Sequence, residues 1–356
     1  MKRGQTGLSF VLGVDKPLGM SSHDVVGRCR RIFGEGRIGH AGTLDPAASG
    51  VLIVCVGSAA RLDKYLTCHD KTYLVDVAFG ASTTTDDAQG EVLSTCIPAD
   101  ELLDSSFANI YLSLFTGKQK QVPPVYSAIK VAGVKAYDAA RKGSALELES
   151  REVEIYNIEL IRITDMRQIS THYIVWTVSL HVSKGTYIRS FARDLGNSVG
   201  CPAHVLHLDR RSSGSVSSSD CVSLEALEQY WNDGLHNTVG KAIPEEFSEH
   251  CILDPLVLLE YKYAFVDEKQ QSKIQNGCKF SANDLQLCYP LHEHDGAGCD
   301  CCTHFAQVCE DAPTDGELIC LCTGHELFAI YKFEETRQCW VPDCVLNPPV
   351  ARGSLL

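Results

Sequence analysis

An aspartate held between glycines and a proline is the first feature with chemical promise. In Gly39-His40-Ala41-Gly42-Thr43-Leu44-Asp45-Pro46, closed by Gly50, the Asp-Pro step favours a turn and the glycines permit a tight one. A carboxylate on such a stiff loop can act as a nucleophile or stabilise developing positive charge, and the glycines would let a substrate backbone come close. The same residues also make an ordinary turn, and taken alone the two uses are evenly matched. Other constellations fail on geometry. Gly34-Glu35-Gly36-Arg37-Ile38-Gly39 spells the dinucleotide fingerprint, yet a basic helix precedes it where a strand is required. His40 follows where a phosphate-binding loop needs lysine. Ser22-His23-Asp24 contains three triad residue types, but neighbours on a helix cannot face one another.

Cysteine is the second resource. Of 17 cysteines, Cys299, Cys301, Cys302, Cys309, Cys320 and Cys322 lie close in sequence, with His292, His294, His304 and His325 nearby. Structural zinc sites pair their thiolates as C-x2–4-C, whereas these pairs are C-x-C. We therefore expect no metal and read the segment from about 285 to 318, acidic and free of Lys and Arg, as a reduced, mobile insertion.

The elements around the Asp45 loop are legible from patterning. Ser21-Ser22 opens a helix in which Val25, Val26, Cys29, Ile32 and Phe33 share a face, and Gly34 and Gly36 stop it. Residues 34–50 read as a glycine-rich loop leading into a buried strand, Val51 to Val56. Tyr73 to Phe79 alternates as a strand does, and 83–87 with Gly90 reads as a turn. Residues 118–152 read as a basic excursion with a short helical pattern at Tyr137–Arg141. A strand from Tyr173 to Val182 leads through Ser183-Lys184-Gly185 into a helix whose apolar face is Ile188, Phe191, Ala192, Leu195 and Val199. An acidic helical stretch at 223–250 precedes short strands, Tyr263–Val266 and Leu327–Phe333, that suggest a small β domain.

At 356 residues, with 44% hydrophobic and 22% charged, the chain is of ordinary globular composition and long enough for about two domains. Its longest clean apolar run, Val51 to Val56, is far too short to span a membrane, and no secretory signal follows Met1-Lys2-Arg3, so a cytoplasmic protein is expected. The net charge of -13 does not exclude a polyanionic partner. Residues 1–219 carry 24 Lys and Arg against 22 Asp and Glu, whereas 251–356 carry 7 against 16. Acidity is concentrated at the C-terminal end, and a basic groove remains open to the rest.

The ordered run DKPLGMSSHDVV (15–26), GHAGTLDPAASGVL (39–52), KTY (71–73), PPVYSAIKVAGVKAYDAAR (123–141) and SKGTYIRSFARDLG (183–196) resembles the TruB family of tRNA pseudouridine synthases. The fourth segment is more similar to the stand-alone bacterial members than to the guide-RNA-dependent relatives, and the absence of long basic extensions counts against a guide-RNA-dependent or rRNA-directed synthase, the second reading in this class. The resemblance implies an α+β fold: a catalytic domain over 1–250 with a central, mainly antiparallel sheet flanked by helices, and a PUA-like RNA-binding β domain over 251–350. It implies that Asp45 is the catalytic carboxylate, Arg189 its charge partner, and Tyr73 a ring that stacks on the target base and moves a proton. Tyr187 and Leu208 would line the base pocket, His40 would fill the space left in the RNA, and Lys130 and Arg141 would contact phosphates. Leu208-Asp209-Arg210 departs from the family's Leu-Arg-Arg, which removes one cation. The implied partner is tRNA, through its T-loop and stem. Neither cofactor nor protein partner is expected, and the chain is read as a monomer. A tRNA-binding folding helper and a metal sensor are readings from other classes.

Overall fold

The computed structural model describes residues 6–353 except 128, 132–133, 136–147, 169–171, 238–242, 244 and 291–307. Ser21 caps the first helix as its spacing predicts, in a reciprocal capping box with Asp24, and Gly34 ends it at φ 64°. The labels used are β1 (Phe10–Lys16), α1 (Ser22–Phe33), β2 (Ile38–Ala41), β3 (Ala48–Val56), β4 (Lys71–Phe79), β5 (Gly117–Gln121), β6 (Arg151–Asp165), β7 (Ile174–Val182), α2 (Ile188–Val199), β8 (Ala203–Ser213), β9 (Cys221–Val222), α3 (Leu224–Asn237) and β10 (Ile252–Leu253). The strands belong to one 11-stranded sheet with the path β9-β1-β3-β8-β4-β7-β6-β5, in which β2 pairs with β3 and β10 with β1. All these pairings are antiparallel except β1 with β9 and β3 with β8.

The unbroken apolar run of β3 follows from cover on both faces. Leu52, Val54 and Val56 pack with Val25, Cys29 and Phe33 of α1 and Leu227 and Trp231 of α3. Val51, Ile53 and Cys55 point the other way, into a core shared with the C-terminal β domain. On α2, the faces of Ile188, Phe191, Ala192 and Leu195 bury against Val75, Val77, Trp176, Val178 and Val205 of the sheet.

Three expectations need correction. Residues 34–50 are not one loop, because β2 forms within them and β3 begins at Ala48. Four residues containing a glycine carry too little alternation to be read as a strand; pairing with β3 creates it. The polar start of the 118–152 excursion is β5, an edge strand paired with Arg151–Ile155, and its lysines are exposed as edge residues usually are. The helical pattern at Tyr137–Arg141 lies outside the described residues.

The third correction concerns cysteine. The small β domain contains β11 (Lys262–Phe265), β12 (Phe280–Ser281), β13 (Leu318–Cys322), β14 (Glu326–Glu334) and β15 (Cys339–Ala351), ordered β11-β13-β14-β15-β12. Cys320 and Cys322 lie fully buried in β13, and Cys309, Leu285, Leu287 and Cys288 are also core. These thiols fill space as small apolar groups and are not part of a surface cluster. Cys299, Cys301, Cys302, His292, His294 and His304 lie outside the described residues. Among the described residues no group of three metal-ligating side chains is assembled, and no helix is long and apolar enough to cross a membrane.

The two sheets meet in one hydrophobic cluster that unites Val11, Ile53, Leu62 and Tyr65 with Tyr263, Cys320, Leu327 and Cys344. A buried ion pair closes this junction. Arg352 donates from Nε to Asp254 Oδ1 at 3.2 Å and from Nη2 to Oδ2 at 2.6 Å, and from Nη1 to the Thr323 carbonyl at 3.2 Å. Asp254 also caps the short helix Pro255–Leu259. Replacing Arg352 with Met would strand a buried carboxylate, and denaturant unfolding should show a loss of about 3 kcal/mol. The double variant with Asp254→Asn should recover part of that loss.

Candidate active site

Asp45 stands on the turn between β2 and β3, and helix α1 holds that turn in place. The buried hydroxyl of Ser22 accepts from Leu44 N–H at 2.8 Å and donates to the Leu44 carbonyl at 2.9 Å. Gly19 N–H donates to the Pro46 carbonyl at 2.8 Å. Residues 15–26 thus matter because they clamp the aspartate's backbone, and Ser22 serves as a fastening, not as a nucleophile.

Helix α2 delivers the partner. Arg189, in its first turn, places Nη2 2.9 Å from Asp45 Oδ2. Its side chain is 7% exposed against 42% for Asp45, so the pair faces the cleft with the carboxylate outermost. The guanidinium also donates to the carbonyls of Thr85 at 3.0 Å and Tyr126 at 2.9 Å, and Nη1 lies 3.8 Å from Asp87 Oδ2. Both terminal nitrogens of the fork are therefore occupied, which fixes its plane. Gln121, the last residue of β5, accepts from Tyr187 N–H at 2.8 Å and donates to the Tyr187 carbonyl at 3.1 Å, capping α2 in place of a local side chain.

The cleft has a volume of about 290 Å³ and is lined by Asp45, Lys71, Tyr73, Tyr126, Tyr187, Arg189, Leu208 and Arg210, among others. Thus Asp45, Tyr73, Tyr187, Arg189 and Leu208, far apart in sequence, meet at one opening. His40 lies on β2 and does not line it; burial, then the nearby Arg210 charge, pushes its pKa down, so the ring is neutral at pH 7. Lys130 belongs to a two-strand hairpin, Lys130–Val131 with Val134–Lys135. Arg141 lies outside the described residues.

Buried cations are what the residue pattern did not disclose. Arg210 is 1% exposed and donates from Nε to the Val51 carbonyl at 2.7 Å and from Nη2 to the Gly42 carbonyl at 2.9 Å. Gly42 lines the cleft, while Gly50 makes room for this strand. A Cβ on Gly50, at φ +96°, would lie 2.3 Å from the Arg210 carbonyl oxygen. One on Gly42, at φ +88°, would touch Arg210 Nη1 at 3.4 Å. Lys16 is fully buried, with Nζ 2.6 Å from the Met20 carbonyl, and burial pushes its pKa down to about 8 despite the Asp45 charge. Lys71 donates to the carbonyls of Thr67 and His69 and is likewise pushed down to about 8, by burial first and Arg210 second. Asp209, standing where a cation was expected, accepts from Ser49 Oγ at 3.2 Å and pairs with Arg211 at 3.1 Å.

A family model described as the N-terminal domain of TruB family pseudouridylate synthases matches residues 30–188. A second, for the tRNA pseudouridylate synthase B C-terminal domain, matches 189–257. The tRNA pseudouridine synthase B of Bacillus anthracis is 38% identical over 281 residues, covering 79% of this chain and 87% of that protein. The chain belongs to the TruB family. The protein of the same name from Pelotomaculum thermopropionicum is 43% identical over 233 residues, 64% of this chain and 71% of that one. The archaeal box H/ACA sRNP Nop10-Cbf5 complex contains a chain that superposes with a TM-score of 0.62 at 20% identity, covering 95% of this chain and 85% of that one. That likeness of fold includes the C-terminal β domain.

By sequence alone Asp86 and Asp87 are only turn residues. Two adjacent carboxylates in a Thr-rich turn, with no cation nearby in sequence, were the available signal. Asp87 Oδ1 accepts from Thr85 Oγ1 at 2.5 Å and Gln89 N–H at 3.0 Å, which leaves Oδ2 facing Arg189. Asp87→Asn keeps the shape and removes the charge, so it should slow pseudouridine formation by about tenfold or more through misplacement of Arg189. RNA affinity, measured by filter binding, should change little. Lys71 yields a pH test. Its pKa near 8 in the folded chain lies below the free value of 10.5, so the unfolded chain holds the proton longer and stability rises with pH between those values. Relative to Lys71→Met, the parent chain should gain stability in denaturant melts as pH rises from about 8 to 10.5.

Proposed function

We propose that this chain converts uridine to pseudouridine in the T-loop of tRNA, at the RNA position numbered 55, as a stand-alone cytoplasmic enzyme without a cofactor. The observation that carries this reading is the half-exposed Asp45 carboxylate, held by the buried Arg189 at the mouth of a cleft bounded by Tyr73 and Tyr187. The reaction breaks the N1–C1′ bond, turns the base and joins C5 to C1′, with the C5 proton lost and a proton gained at N1. No atom is gained and nothing is oxidised, so a correctly placed carboxylate is the chemical requirement.

The target uridine leaves its stack and enters the cleft, where aromatic faces replace the lost stacking. Asp45 then meets the reacting ring as nucleophile or as stabiliser of charge at C1′. Arg189 keeps the carboxylate oriented throughout. Tyr73, on β4, is 7% exposed and lines the cleft, suited to pack against the base and to handle a proton at its hydroxyl. Tyr187, whose hydroxyl pKa is raised chiefly by burial, stays protonated and can donate a hydrogen bond. Leu208 closes the apolar side.

We assign His40, Lys130 and Arg141 to the RNA outside the cleft, His40 as a neutral ring that can enter a vacated stack and the two cations to phosphates. The catalytic unit spans 1–250 and the β domain 251–350 provides a second RNA surface, as the PUA-like resemblance implies. The acidic residues between 285 and 318 would be repelled by phosphates and are placed away from the RNA.

Asp45→Asn is the decisive variant. It should bind tRNA with near-parental affinity while pseudouridine formation falls by orders of magnitude, read by mapping pseudouridine in exposed tRNA. Retention of more than about a tenth of the activity would remove Asp45 from the chemistry. The folding-helper alternative predicts that this variant restores tRNA function in cells lacking the enzyme, so complementation separates the two.

A further inference from the structure

Away from the cleft, two thiols separated by 105 residues bring their sulfurs to 2.8 Å: Cys96, after the hairpin Ala81–Thr83 with Val92–Thr95, and Cys201, after α2. Among the described residues this is the one sulfur–sulfur contact within hydrogen-bonding reach. Both backbones are anchored. Cys96 N–H donates to the Gly80 carbonyl at 2.9 Å, Gly80 N–H to the Pro202 carbonyl at 2.8 Å, and Cys201 N–H to the Gly196 carbonyl at 3.1 Å. Gly196 lets the 200–203 turn fold back onto the helix, since a Cβ there would lie 2.9 Å from the Cys201 oxygen. A disulfide requires a sulfur separation of about 2.05 Å, so the two need approach by less than about 1 Å.

We propose that Cys96 and Cys201 form a reversible disulfide when the protein meets a hydroperoxide. Cys96 is half-buried whereas Cys201 is 6% exposed, and burial pushes the Cys201 thiol up to about 12. Cys96 is therefore the sulfur that meets the oxidant. Its thiolate attacks one peroxide oxygen, the O–O bond breaks, and the departing hydroxide takes a proton to leave as water. The Cys96 sulfenic acid is then attacked by Cys201 sulfur, whose proton leaves with the hydroxyl as a second water. Two electrons pass from the pair of thiols to the peroxide. A dithiol reductant reverses the change by exchange, restoring both thiols and closing its own disulfide.

The bond would act on the scaffold of the Asp45 site without touching it. The turn of the same hairpin contains Thr85 and Asp87, which hold Arg189, and Asp86, which pairs with Arg193 of the same helix at 3.1 Å. Ionic contacts fasten this hairpin to the N-terminal half of α2, and the disulfide would fasten it at the other end. Oxidation should consequently stabilise the fold and leave turnover unchanged.

The full chain is treated with a slight excess of hydrogen peroxide, its remaining thiols are alkylated, and peptides are mapped by mass spectrometry. The expected product is one species joining the Cys96 and Cys201 peptides, separated by dithiothreitol, with a Tm raised by about 3 °C or more. Cys96→Ser and Cys201→Ser should each abolish the link and the Tm rise. Because Cys201 is buried, Cys96→Ser is the control where the other variant fails to fold. The proposal is overturned if Cys201 remains alkylatable after oxidation, if Cys96 advances to sulfinic acid instead, or if either sulfur joins a different cysteine.

Discussion

A single buried guanidinium joins the chain segments that make the cleft. Arg189 reaches the turn at Asp45, the turn at 85–87 and the segment at 122–127, none of which pairs with another in the sheet near that point. Withdrawing a permanent charge from water is costly unless every donor is satisfied, so the three segments have one arrangement that meets its demand. Helix α2 supplies the lever arm. Its apolar face is buried against the sheet, and its first turn must therefore present Arg189 at the sheet's end. Ser190 Oγ and Arg193 Nη2 add bonds to the Val122 carbonyl, at 2.8 and 2.9 Å, that hold the same segment.

The surroundings of Asp45 are unusually cationic for a chain of net charge -13. Lys16, Lys71, Arg189 and Arg210 are all buried or nearly so, and their nitrogens are held by backbone carbonyls. Carbonyl oxygens satisfy the hydrogen bonds of a cation without neutralising it. Arg189 is balanced by Asp45 and Asp87, so the cations left without a carboxylate are Lys16, Lys71 and Arg210, while the chain's excess of acidic residues lies toward its C-terminal end.

The C-terminal β domain is not an appendage. Its sheet shares a hydrophobic cluster with the face of β3 opposite α1, Asp254 and Arg352 close the seam, and β10 adds a strand to β1. Fixing β3 from both sides also fixes the turn that precedes it, which is where Asp45 stands. Cys288, Cys309, Cys320, Cys322 and Cys344 are buried in this domain and pack by volume, whereas Cys278 is exposed.

Local patterning was enough for the elements whose two faces differ. Helix α1, strand β4 and helix α2 are where their spacing places them, because each buries one face and hydrates the other. The Asp45 loop stands out by its own residue types, whereas Arg189 and the tyrosines at 73 and 187 are named only through the TruB resemblance, and the fold brings all four to one cleft. Other features carried no such local signal. Strand β2 exists because β3 offers it a partner, and β5 is polar because it is an edge. Cys320 and Cys322 stand in a Cys- and His-rich run of sequence but are core, since a thiol's role depends on its surroundings. Arg210 in a buried site has the same letter as an exposed arginine, and Asp87 is a turn residue until Arg189 arrives from 102 positions away. Sequence by itself determined which side chains are available and which segments are helical or extended. Tertiary structure alone decided which charges are buried together, because burial and distance arise only when remote segments close on one another.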